Sequence, residues 1–119
     1  MKKQTVVLSF ILVVVLSAFT APIQFLSTSI RITVLDALGN PVPDAEVTLY
    51  HTEEEYRQEE NAASETVLTD RKGRVKIKDL EPKVYFVDVV KEEMTNAGAG
   101  VQTDTLREGR INKVNIIIE

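Results

Sequence analysis

The stretch LDALGNPVPDAEVTLY, Leu35–Tyr50, decides the fold. Gly39, Asn40, Pro41 and Pro43 crowd together there, between two alternating apolar runs. Proline presets φ near −65°, while glycine and asparagine tolerate the left-handed region, so this density of turn formers marks a stiff turn. Upstream, SIRITVLD (Ser29–Asp36) sets Ile30, Ile32 and Val34 against Arg31 and Thr33. Downstream, AEVTLY (Ala45–Tyr50) sets Ala45, Val47 and Leu49 against Glu46, Thr48 and Tyr50. Period-two alternation in β-branched residues is the strand signal. The expectation is two core strands joined by a hinge, with Gly39 and Asn40 supplying positive φ and Val42 turned inward.

The same grammar continues along the chain. ETVLTD (Glu65–Asp70) is a short third strand, and RKGR (Arg71–Arg74) places Gly73 in a tight turn. RVKIKDL alternates Val75, Ile77 and Leu80 with lysines, and VYFVDVV (Val84–Val90) is apolar on both sides except at Asp88, as in a central strand. INKVNIIIE (Ile111–Glu119) closes the chain with Val114, Ile116 and Ile118 on one face. Short, evenly spaced strands divided by Gly, Pro, Asn and Asp imply an all-β sandwich rather than βαβ units. HTEEEYRQEENAASE reads as an acidic inserted loop, with one helical turn favoured by Glu53 four residues before Arg57. KEEMTNAGAGVQTDT (Lys91–Thr105) reads as a long flexible connection.

Residues 1–28 have a different character. Lys2 and Lys3 precede Val6–Phe19, apolar except for Ser9 and Ser17. A basic start and an apolar run too short for a comfortable span of roughly 20 residues describe a secretory signal, cleaved near Ser17 or Ala18. Ile23, Phe25 and Leu26 extend the apolar character, which leaves an uncleaved membrane anchor as the alternative. Residues 29–119 form the domain, exported to the periplasm or secreted, or else held at the membrane by this segment. Without Lys2 and Lys3 the chain carries 12 basic and 18 acidic residues. That balance argues against nucleic acid and against a polybasic grip on anionic lipid, leaving the membrane only the N-terminal segment. With no cysteine there is no lipidation site, disulfide, thiolate metal site or cysteine nucleophile.

The order DALGNPVPDAEVTL, then TDRKGRVKIKDLEPKVYFVDV, resembles the carboxypeptidase regulatory-like domains, from Ile30 to Val90 and more loosely in the last strand. Lys83 stands where those domains usually have glycine. The resemblance implies a small antiparallel Greek-key β-sandwich of transthyretin-like, or carbohydrate-binding-like, topology with about seven strands. It also implies a non-catalytic accessory module of the bacterial envelope, mediating protein–protein interaction or structural support. The alternatives are a carbohydrate-binding module, and a subunit or regulator of an envelope peptidase or transporter.

Chemistry-bearing residues are sparse. His51 is the one histidine, too few for a zinc peptidase, and no serine sits in a nucleophile elbow. The acidic run from Glu53 to Glu60 lacks calcium-loop spacing, and NAGAG (Asn96–Gly100) has no lysine after it to hold phosphate. Arg31 replaces the lysine that a self-formed isopeptide with Asn115, assisted by Asp88, would need. We expect no enzyme, cofactor or metal. Tyr50 and Tyr56 are the rings expected to be exposed, as sugar platforms require, whereas Tyr85 alternates toward the core. Tyr50, Tyr56, Glu54 and Asn96 make up the expected interaction surface, for an envelope protein or a glycan.

Overall fold

The computed structural model describes residues 26–119. The signal or anchor segment therefore lies outside the described residues, apart from its last three positions. Seven strands follow: β1 (Ser29–Leu35), β2 (Glu46–Tyr50), β3 (Val67–Leu68), β4 (Arg74–Ile77), β5 (Phe86–Lys91), β6 (Met94–Thr95) and β7 (Ile111–Ile117). Sheet A has the order β4-β1-β7 and sheet B the order β3-β2-β5-β6. The two pack face to face as an all-β sandwich, as the alternation implies. Ile30, Ile32 and Val34 of β1 are fully buried, and so are Val47, Leu49 and Val89 from sheet B. Burying such a side chain contributes about 1.5–3 kcal/mol, so these inward faces are the main source of stability.

One pairing departs from the antiparallel expectation. β4 runs antiparallel to β1, but β7 runs parallel to it, from Ser29↔Ile111 to Leu35↔Ile117. The last strand thus returns in the direction of the first. Beyond β7, Glu119 exchanges two backbone hydrogen bonds with Thr95 of β6, at 3.1 and 3.2 Å, tying sheet A to sheet B at the chain end.

The opening stretch is the hinge between the sheets. The Asp36 carboxylate accepts from the amides of Leu38 and Asn40, at 3.0 and 2.9 Å, closing the turn. The chain folds back on β1, Val42 N–H donates to Val34 O at 2.9 Å, and Val42 is buried as expected. Gly39 has φ 86°, but the second left-handed residue is Asp44 at 57°, not Asn40. At Asp44 the chain turns toward sheet B, and Thr69 fastens the crossing: its Oγ1 donates to Val42 O at 2.7 Å and accepts from Ala45 N at 2.9 Å.

Two segments expected to be irregular are ordered. Glu53–Gln58 is a helix, α1, with Thr52 as N-cap accepting from Glu55 N at 3.1 Å. Glu53 thus begins the helix. His51 lies in a bend, its ring 5.1 Å from that of Tyr85, which is buried as expected. The 91–105 segment is not a free loop either, because Asn96 completes its backbone pairing. Asn96 is fully buried; Oδ1 accepts from Val89 N at 3.0 Å, and Nδ2 donates to Val87 O at 2.8 Å and Gly100 O at 3.2 Å. The side chain thus stands in for a strand residue between the β5–β6 ladder and Val101, whose O accepts from Val87 N.

Candidate interaction site

The longest strand edge in the fold is that of β7. Arg110 O accepts from Ser29 N at 3.0 Å and Ile118 N donates to Leu35 O at 2.9 Å, so even-numbered residues here turn their backbone toward β1. Backbone groups alternate sides along a strand. Those of Ile111, Lys113, Asn115 and Ile117 therefore point to the other side, where no strand of the described residues pairs with them. This edge borders a cleft of about 360 Å³, walled on its far side by Thr103–Arg107. Asn112 shapes the near end: its Oδ1 accepts from Arg107 N at 2.8 Å, and its Nδ2 donates to Ser29 O at 3.0 Å and Arg107 O at 3.1 Å. An unpaired edge offers main-chain hydrogen bonds to an extended segment, and flanking side chains supply selectivity. The basic residues Arg107, Arg110 and Lys113 line this cleft, with Asp104 as its one acid. Sequence reading missed Asn112, since an asparagine beside a strand start looks like ordinary turn chemistry.

Of the four residues expected to form a surface, the fold gathers Tyr50, Glu54 and Tyr56 at α1 and buries Asn96 elsewhere. Glu54 is exposed on α1, within 3.3 Å of Gln58 Nε2. Asn96 is buried for the reason given above. Tyr50, expected to be exposed, is only 5% so. Alternation does direct its side chain to the outer face of sheet B, but α1 lies over that face and Tyr56 meets it edge-on, with ring centroids 6.2 Å apart at 76°. Tyr56 is itself half-buried. The pair presents no open double platform of the kind a sugar ring stacks on.

The two outer faces differ in charge. On sheet B, Glu46 and Asp88 flank Thr48, with Glu59 from the end of α1 nearby. Burial, then Glu59 and Glu46, push the Asp88 carboxyl above the ordinary carboxylate range. Burial, then Asp88 and Glu59, likewise raise the Tyr50 and Tyr56 phenols. On sheet A, Arg31 sits between Lys76 of β4 and Lys113 of β7 in one cross-strand row. Among the described residues the ion pairs are Arg57–Glu53 and Lys83–Glu81, so none of that row has an acidic partner. No group of three His, Cys, Asp or Glu among the described residues is placed to hold a metal.

Comparison with protein families matches residues 29–118 to the carboxypeptidase regulatory-like domain. Among solved structures, a streptococcal ancillary pilin aligns with a TM-score of 0.56 at 14% identity, over 78% of this chain and 32% of that one. The major pilin subunit BcpA of Bacillus cereus aligns at 0.48 and 13% identity, over 77% and 28%. The chain thus spans about a third or less of these proteins, and the likeness at such identity is one of fold. No curated protein matches the chain.

Proposed function

The chain belongs to the carboxypeptidase regulatory-like domain family, and from that premise we propose that it is a non-catalytic interaction module of the bacterial envelope. Its partner is an envelope protein, which adds an extended segment to the open edge of β7. The observation that carries this reading is the orientation of the β7 backbone, with four alternate residues, Ile111, Lys113, Asn115 and Ile117, facing outward and the first two bordering the cleft. The other edges are shorter: β3 and β6 have two residues each and β4 has four. Short edges resist strand addition, whereas a seven-residue edge accommodates it. The reading of residues 1–28 as a signal or anchor accords with a partner in the envelope. The streptococcal ancillary pilin that shares the fold accords with a structural role.

The test is capture from envelope extract with residues 29–119 as bait, repeated with Asn115→Pro. Proline at this exposed position removes an outward N–H and leaves the β1 ladder intact. We expect a specific partner retained by the wild type and lost by the variant at unchanged melting temperature. Equal capture by both would move the contact off the edge. Absent capture with positive glycan-array binding would favour the carbohydrate-binding reading instead.

A further inference from the structure

The outer face of sheet A is a second feature, which shares Ile111, Lys113, Asn115 and Ile117 with the β7 edge but offers their side chains rather than their backbone. Its cations are Arg31, Arg74, Lys76 and Lys113, and its exposed apolar residues are Ile111 and Ile117, 44% and 46% accessible. The remaining outward strand positions, Thr33, Leu35 and Asn115, are uncharged. Thus no strand position on the face carries an acid, and Asp70, in the turn before β4, is the acid at its rim beside Arg74, although the chain as a whole carries 18 acids to 14 bases. The Lys76–Arg31–Lys113 row holds like charges about 5 Å apart across strands, an arrangement unfavourable unless something anionic covers it. A flat basic surface with interspersed isoleucines has the composition of interfacial membrane-binding elements.

The chain outside the described residues supplies the orientation. It enters the fold at Leu26, itself 80% exposed, immediately before β1 at the centre of this sheet. Six residues separate Leu26 from the apolar run ending at Phe19, which spans about 20–25 Å at full extension. We propose that the outer face of sheet A lies on an anionic bilayer surface, a proposal that rests on the reading of residues 1–28 as an uncleaved anchor. The acidic sheet B face and α1 then point away from the lipid, and the β7 edge is left at the side, free for a protein partner.

The test reconstitutes the full chain in vesicles of phosphatidylcholine alone or with phosphatidylglycerol. The protein has no cysteine, so Ile117→Cys and Gln58→Cys each take one fluorophore, read by quenching from headgroup-nitroxide lipid. We expect strong quenching at 117 and little at 58 in anionic vesicles only, lost at high salt. Each cation near an anionic surface is worth about fivefold, so Lys76→Gln with Lys113→Gln should shift the docked population about 25-fold. Circular dichroism confirms that this variant folds, and the salt and lipid arms test the proposal with wild-type charges in any case. Equal quenching at both sites, or quenching indifferent to lipid charge, would overturn it. Salt-sensitive self-association without lipid, with no lipid-dependent quenching, would assign the face to a second copy and equally overturn it.

Discussion

Gly73→Ala is the sharpest probe of the fold. Gly73 has φ 71°, and a Cβ there would stand 2.6 Å from Val34 O, 2.9 Å from Val42 N and 3.2 Å from Pro41 Cβ. The first two atoms are partners in the hydrogen bond that folds the hinge back on β1. Val34 N also donates to Gly73 O at 2.7 Å, so the turn cannot simply move away. The left-handed conformation alone costs a non-glycine residue about 1–2 kcal/mol. Prising apart a buried backbone pair adds about 1–3 kcal/mol. The sum, about 2–5 kcal/mol, is a large share of the total stability of roughly 5–14 kcal/mol for a domain of this size. Gly39→Ala is the control: its φ is 86°, but nothing lies within 4 Å of the added Cβ, so only the conformational term applies. Urea unfolding followed by circular dichroism reads the difference. At an m-value near 1–1.5 kcal/mol/M, Gly73→Ala should lower the midpoint by about 2–3 M and Gly39→Ala by about 1 M. Equal shifts in the two variants would refute the close approach of the 70–74 turn to the hinge.

Three further outcomes are expected. Asn96→Ala strands Val89 N and Val87 O without their partner, which should cost about 2–4 kcal/mol and speed amide exchange at Val89; unchanged exchange there would contradict the bridging role. The amides of Arg74 and Lys72 hold the Asp70 carboxyl below its ordinary range, so its contribution is complete above the unfolded value of about 3.9 and is lost as pH falls through the lower folded value; Asp70→Asn should flatten the acid limb of a stability–pH curve. Asp88 is raised instead, so the fold binds its proton more tightly and gains stability as pH falls toward about 4; Asp88→Asn should raise the pH 7 melting temperature, within the ~1 kcal/mol expected of a partly screened charge, with the advantage fading at acid pH.

The strands were legible because each is a run of alternating residues whose inward members meet the opposite sheet. Ile30, Ile32, Val34, Val47 and Leu49 are buried by that rule alone. The hinge was legible because its residues tolerate few conformations, although local composition did not distinguish Asn40 from Asp44 as the left-handed position. The parallel β1–β7 pairing was not legible, since periodicity fixes faces and not partners, and these strands lie about 80 positions apart. Asn96 and Tyr50 failed for a shared reason. A polar residue in a glycine-rich loop reads as exposed until a backbone gap is found for it. An outward-facing ring likewise reads as exposed until a helix is found above it.

The charge pattern carries the same lesson to function. Net charge averages over the surface and argues against a polybasic grip on anionic lipid, because 12 bases face 18 acids once Lys2 and Lys3 are set aside. Strand parity sorts those charges. Odd residues of β1 and β7 and even residues of β4 share one outer face, which collects Arg31, Lys113, Arg74 and Lys76. Even residues of β2 and β5 share the other, which collects Glu46 and Asp88. The segregation was written in the alternation but became visible only with the pairing of β1, β4 and β7. A sandwich with one basic and one acidic face has an orientation in any surface field, whatever its total charge.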